Sequence, residues 1–422
     1  MRNPTAPTRK TGENRKNRRW WLVAGTAAVA SIAAVVAAQL PSDAEHAPAY
    51  GQDELRRDTD AIQALGITGV QARVTTGDGP DLVATSGVAE VDTDRPVPED
   101  GYFRMASTSK TLVATVVLGL VDEGTLTLDD TVDHWLPGVV EGNGNDGRLI
   151  TVRQLLQHTS GLADDLPGHA TPEDYYEHRY DTYTPEEIVA RATAHRPYFE
   201  PGADWAYSNT GYALLTMIVE RATDRSWHEE VEDRILVPLG MDHTYLPDGT
   251  PTLREPHARS YELFPAGESG ESGESAESAE LVDVTEVIVP DPGGYVSTTE
   301  DVNRLFQALL GGELLSEERL AEMRDTVPVS EEMLTFWPSG RYGLGLVNRP
   351  LSCGGSYWSH EGGESGYITL NGATDDGGRA VTVSMTTALG DSPDNMLRQE
   401  QAASDLVDRA LCDSPQQADR LQ

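Results

Sequence analysis

Two stretches near opposite ends of the chain carry one pattern, and that repetition limits the fold more than any other feature. From Gly69, "GVQARVTTGDGPDLVATSGVAEV" alternates apolar and polar residues on either side of a glycine-rich turn. From Gly366, "GYITLNGATDDGGRAVTVSMTT" does the same around Asp375, Asp376, Gly377 and Gly378. A period of two puts successive side chains on opposite faces of a strand. A short Asp/Gly segment between two such runs is a hairpin turn. A lone hairpin is marginal in water, so the two pairs are expected in one antiparallel sheet assembled from both ends of the chain. "SYWSH", residues 356–360, reads as a further strand, with His360, Glu361 and Gly362 on it.

Between the hairpins the periodicity is helical. Residues 108–119 are apolar with small residues and read as a buried helix beginning at Ser107. Residues 151–158, 184–194, 210–222 and 300–310 follow, several opened by Ser, Thr or Asp. A helix over 395–411 closes the pattern. The predicted class is α/β in the α+β sense: an antiparallel sheet flanked by helices, with a helical subdomain inserted at about 125–285. One domain is expected over 51–412, with 413–422 as a tail.

Charge removes whole classes of partner. The net charge is −37, from 32 Lys and Arg against 69 Asp and Glu. Much of the positive charge is in the first 21 residues, so the body is more acidic still. Such a surface repels polyanions, and nucleic acid is not an expected partner. Residues 267–280, "GESGESGESAESAE", offer no core side chain and read as a disordered acidic loop.

The first 50 residues read as an export signal and linker. A basic run ending at Arg18 and Arg19 precedes Trp20, Trp21 and the apolar stretch 22–38. An uncleaved membrane anchor is the alternative, because the apolar stretch is long. Either way the expected location is secreted, or on the outer face of the cell membrane. Of two cysteines, Cys353 and Cys412, an exported protein makes a disulfide. It would close a loop of about 60 residues, worth roughly 4 kcal/mol in the chain-entropy picture. Two cysteines are too few for a typical structural zinc site, and no metal or cofactor is expected.

Three short elements carry the chemistry. The first is Ser107-Thr108-Ser109-Lys110. On a helix, i and i+3 share a face, so Lys110 reaches the Ser107 hydroxyl. A serine needs a base to act as nucleophile, and a desolvated lysine can be one. Beyond residue 16 Lys110 is the sole lysine; every other cationic chain there is Arg, which cannot release its proton. The second is Tyr207-Ser208-Asn209, at a loop tip before a helix. Tyr207 could pass a proton to a leaving group, and Asn209 could bond a substrate amide. The third is His360-Glu361-Gly362, followed by Gly363. His360 would be a cation orienting an anionic or carbonyl substrate, and the glycines Gly362 and Gly363 allow close backbone approach. Backbone N–H groups of Ser107 and Gly363 would then make an oxyanion hole.

These elements, in this order, resemble the penicillin-recognising serine hydrolases: class C β-lactamases, D-alanyl-D-alanine peptidases and related esterases. "ITVRQLLQHTSGL" (150–162), "LVPLGMDHTY" and "PDPGGYVSTTEDVNRLFQALLGGELLS" are similar to further hallmarks of that family. The resemblance covers about 55–412. It implies that Ser107 is acylated, with Lys110 as base partner and Tyr207 as proton relay. It also implies that Asn209, His360 and Gly363 touch substrate, and that His158 is structural. Within the family, "YGLGLVNRPLSCGGSYWSHEGGESGY" and the cysteine pair are most similar to secreted D-alanyl-D-alanine carboxypeptidases. Their substrate is a peptidoglycan stem peptide, and β-lactams acylate them. Their terminal-carboxylate Arg is replaced here by Val347, with Arg349 two residues later as the candidate substitute. Glu361 stands where a threonine is common, and would repel a substrate carboxylate unless turned away. Small ester or amide substrates are therefore an alternative. If His360 titrates near neutrality, activity on anionic substrates is expected to fall above about pH 7.

Overall fold

The computed structural model describes residues 50–412, apart from 78, 248, 266–278 and 291. The acidic repeat, save its last two residues, lies outside the described residues, as do the N-terminal basic and apolar segments and the tail after 412. The two hairpins do meet. Gly69–Thr76 (β1) and Leu82–Gly87 (β2) form one; Tyr367–Thr374 (β8) and Arg379–Met385 (β9) form the other. β1 runs antiparallel to β9, with Val70 opposite Met385 and Val74 opposite Val381. Between the hairpins in sequence come Val327–Pro328 (β3), Arg341–Tyr342 (β4), Val347–Pro350 (β5), Ser356–Ser359 (β6) and Gly362–Glu364 (β7). The nine-stranded sheet has the order β2-β1-β9-β8-β6-β5-β4-β3, and β7 also pairs with β8. "SYWSH" is thus a strand, but the reading is corrected at its end. Backbone pairing stops at Ser359, and His360 and Glu361 form the step between β6 and β7.

The sheet is covered on both faces. Gln52–Gln63 (α1) and Pro393–Cys412 (α7) cover one, where Leu55, Ile62, Val74, Val383, Leu406 and Leu411 join a single apolar cluster. Thr299–Leu310 (α6) covers the other. This explains why β9 is buried along its whole length although its sequence alternates. Towards α6 the Thr382 hydroxyl donates to Asn303 Oδ1 at 2.7 Å.

Behind α6 lies the larger core. Ser109–Asp122 (α2) is apolar nearly all round and buried, as a central helix must be. Val152–Leu156 (α3), Pro185–Thr193 (α4) and Asn209–Thr223 (α5) pack around it. Thr151, Thr184, Ser208 and Thr298 cap the starts of α3, α4, α5 and α6. Within the region 125–285, apolar residues from Leu126 to Leu253 share one cluster with α2 and α6, while Tyr175, Phe264, Val282 and Val284 form a separate one. Part of it, Tyr261–Phe264 and Glu280–Asp283, forms a small sheet with Thr387–Ala388. Cys353 and Cys412 are joined, tying the loop between β5 and β6 to the end of α7. Among the described residues no helix is long and apolar enough to cross a membrane.

Candidate active site

Ser107 sits in a single 3-10 turn, Ala106–Thr108, that runs directly into α2. Ala106 holds φ at +46°, a conformation that costs a non-glycine residue energy and is found where surrounding packing enforces it. Here the enforcement comes from β7. A side chain at Gly362 would come within 2.2 Å of the Met105 carbonyl oxygen. The glycine lets the strand lie flush against the serine turn. The Thr108 hydroxyl then donates to the His360 carbonyl at 2.9 Å, locking turn and strand together.

One turn on, the Lys110 side chain is 2% exposed. Its amino group lies 3.1 Å from Ser107 Oγ and 2.7 Å from Asn209 Oδ1. It also stands 5.0 Å from the centre of the Tyr207 ring. Ser107 and Lys110 meet as their helical spacing implies, and Tyr207 and Asn209 join them as the family resemblance implies. A cavity of about 70 Å³ is lined by Ser107, Lys110 and Asn209 together with Gly363 and Glu364.

His158 packs beneath the tyrosine, its ring 4.4 Å from that of Tyr207. It adopts φ of +61°, accepts the Ser208 N–H at its Nδ1 and the Ala206 N–H at its carbonyl. Burial, then the charge of Lys110, holds it well below the usual histidine range. It supports the loop that carries Tyr207, in keeping with a structural role.

The third element differs from the sequence expectation. His360 is 1% exposed. Its Nδ1 faces the Glu361 carbonyl at 2.9 Å, which can accept only, so Nδ1 carries the proton. Nε2 then accepts from the Tyr342 hydroxyl at 2.9 Å. Burial first, and Lys110 second, pushes its pKa down to about 3. The imidazole is neutral, not a cation titrating near neutrality. Asn371 grips its backbone from β8, accepting the His360 N–H and donating to its carbonyl.

Arg349 is also corrected. It is buried and committed: its guanidinium lies 2.8 Å from Glu361 and 3.3 Å from Glu400. Glu361 takes the Trp337 indole N–H on its other oxygen, at 2.5 Å. The feared repulsion from Glu361 is thereby absorbed, but so is the Arg349 charge offered for a substrate carboxylate.

Two supports escaped the sequence reading. Asp164 accepts from Asn209 Nδ2 at 2.8 Å and from the Thr210 N–H at 3.1 Å. This fixes which end of the Asn209 amide faces Lys110. Tyr342 completes the His360 tautomer. Asp164 stands two residues beyond "HTSGL", and that adjacency is the sole sequence signal for it. Among the described residues no group of three His, Cys, Asp or Glu is placed to hold a metal.

Comparison with known proteins agrees with this geometry. A sequence model of the Beta-lactamase family matches residues 55–405. Penicillin-binding protein 4* of Bacillus subtilis is 30% identical over 286 residues, 67% of this chain and 60% of its own. The chain thus spans less than two thirds of that relative. Among solved structures, a D-stereospecific amidohydrolase from Streptomyces sp. superposes with a TM-score of 0.71 at 36% identity, covering 83% of this chain and 98% of that one. The D-amino acid amidase of Ochrobactrum anthropi SV3 gives 0.70 at 27% identity, covering 84% and 96%. With the fold, the serine–lysine contact and a match along most of its length, the chain belongs to the β-lactamase family of serine hydrolases.

Proposed function

We propose that the protein hydrolyses small amides or esters of D-amino acids through an acyl-enzyme on Ser107. The observation that carries the reading is the buried Lys110 amino group, 3.1 Å from the Ser107 hydroxyl and oriented by Asn209. Lys110 accepts the hydroxyl proton as Oγ attacks the carbonyl carbon. Negative charge developing on the carbonyl oxygen is received by the Ser107 and Gly363 N–H groups. Tyr207, beside Lys110, returns the proton to the departing amine or alcohol, and water then releases the acyl group.

D-alanyl-D-alanine carboxypeptidase action on peptidoglycan peptides is the second reading, favoured by the penicillin-binding relative. It is the weaker one, because recognition of a terminal carboxylate needs a cation and Arg349 is taken by Glu361 and Glu400. Similarity to two hydrolases named for D-configured substrates supports the first. The basic and apolar N-terminal sequence and the disulfide support a location outside the cytoplasm.

The test is a substrate panel: D-amino acid amides, a D-alanyl-D-alanine peptide, a p-nitrophenyl ester and a fluorescent penicillin. Intact-mass analysis should find an acyl adduct on the wild type and none on Ser107→Ala. Turnover of the dipeptide more than tenfold above every amide would return the carboxypeptidase reading to first place. Residual turnover in Ser107→Ala would sink both.

A further inference from the structure

We propose that Glu364, with the apolar cavity behind it, is the recognition site for an acyl group that carries a free ammonium beside an apolar side chain. This rests on the acyl-enzyme reading above and names its substrate class. Two cavities meet at Gly363 and Glu364. The smaller contains Ser107 and Lys110. The larger, about 480 Å³, is walled by Tyr175, Phe264, Val284, Phe336, Ile368 and Leu389. That volume falls within the range of small-molecule pockets and suits an aliphatic or aromatic side chain.

Position assigns the two ends of the substrate. The leaving group must lie towards the proton donor, Tyr207. The part retained on Ser107 is then assigned to the stretch of lining formed by Gly363 and Glu364, which share the small cavity with Ser107 and open onto the larger one. Glu364 is the one carboxylate on both cavities, and Glu262 and Glu400 extend the acidic lining into the larger one.

No Lys or Arg lines the larger cavity, and His169 is its one basic side chain. Among the described residues neither Glu364 nor Glu262 forms a salt bridge. Glu364 accepts from the Ser365 hydroxyl at 2.9 Å, and Glu262 from the Gly366 N–H at 2.8 Å. Glu400, by contrast, is engaged with Arg349. Burial pushes Glu364 up against the opposing charges of His169, Arg104 and Lys110, and pushes Glu262 to about 7. A carboxylate held away from water gains most from an arriving cation, and an anion there meets repulsion. An ammonium on the carbon next to the scissile carbonyl would lie at the neck, with the side chain in the apolar chamber.

The experiment compares kcat/KM for D-phenylalanine amide and its N-acetyl derivative in wild type, Glu364→Gln and Glu262→Gln, with p-nitrophenyl acetate as a charge-free acyl donor. The wild type should favour the free amine by about tenfold or more, the scale of a hydrogen bond to a charged group. Glu364→Gln should collapse that ratio towards one, and Glu262→Gln should reduce it less. If Glu364→Gln does not fold, inhibition of the wild type supplies the readout. D-phenylalaninol should then inhibit at about tenfold lower concentration than N-acetyl-D-phenylalaninol. A wild-type ratio near one, or a ratio unchanged in a folded Glu364→Gln, overturns the proposal while leaving acylation by p-nitrophenyl acetate intact. Absence of acylation by every donor overturns the underlying acyl-enzyme reading instead.

Discussion

The cleft has two walls built from opposite uses of charge. On the helical wall, Lys110 reaches Ser107 and Asn209, and Asp164 holds Asn209 in turn. Its polar groups are aimed towards the cavity. On the strand wall, His360 is neutral against Tyr342, and Arg349, Glu361 and Glu400 satisfy one another. Those groups are turned into the protein. The difference teaches that motif positions of equal rank in the sequence need not share a task. Of the charged side chains on the two walls, Lys110 on the helical wall and Glu364 on the strand wall are the ones that line the cavity over Ser107.

The harshest test of that division is Lys110→Met, which keeps the volume and removes the base. Acylation measured in a single turnover should fall on the order of a thousandfold or more, with thermal stability kept. Wild-type acylation in this variant would erase the helical wall's role. On the other side, Arg349→Met leaves two buried carboxylates facing each other. Urea unfolding at pH 8 should show a stability about 3 kcal/mol below wild type, while turnover of an uncharged ester changes less than about threefold. If instead KM for a carboxylate-terminated peptide rises with stability intact, the strand wall does bind substrate and the contrast fails. Asp164→Asn should sharpen it more gently. Without an anionic acceptor the Asn209 amide is free to turn its NH₂ towards Lys110. A fall in kcat of about tenfold is expected, the cost of one charged hydrogen bond. An unchanged kcat would make Asp164 a helix cap alone.

Much of this was legible before any coordinates. The sheet was, because hairpin alternation and Asp/Gly turns are local and a hairpin must find a partner. Ser107 and Lys110 were, because i and i+3 on a helix are neighbours by geometry. The hidden part is long-range. An isolated histidine titrates near neutrality, so sequence makes His360 a cation; its burial against Tyr342 and Asn371 is announced by no spacing. The commitment of Arg349 is hidden because Glu400 lies on the closing helix and Glu361 meets it only across the folded sheet edge. Likewise β9 shows alternation yet is covered on both faces, since α6 supplies the second layer.

The last prediction concerns that histidine and follows from the sign of its shift. In the unfolded chain His360 takes up a proton as pH falls through 6.5; in the folded protein it stays neutral down to about 3. The unfolded state therefore binds more protons in that window. Stability from this group is complete above about pH 6.5 and declines by up to about 1.4 kcal/mol for each pH unit towards 3. His158 acts in the same direction, and Glu262, whose pKa is raised, acts in the opposite one. Comparing His360→Gln with wild type cancels both neighbours. Glutamine can still donate to the Glu361 carbonyl and accept from Tyr342. Urea unfolding at pH 7 and pH 5 should show the variant losing about 2 kcal/mol less than wild type over that interval. The same neutrality removes the expected fall of activity above pH 7 on account of His360. Parallel losses in the two proteins would mean that the imidazole is charged in the native state, and that the strand wall carries a cation after all.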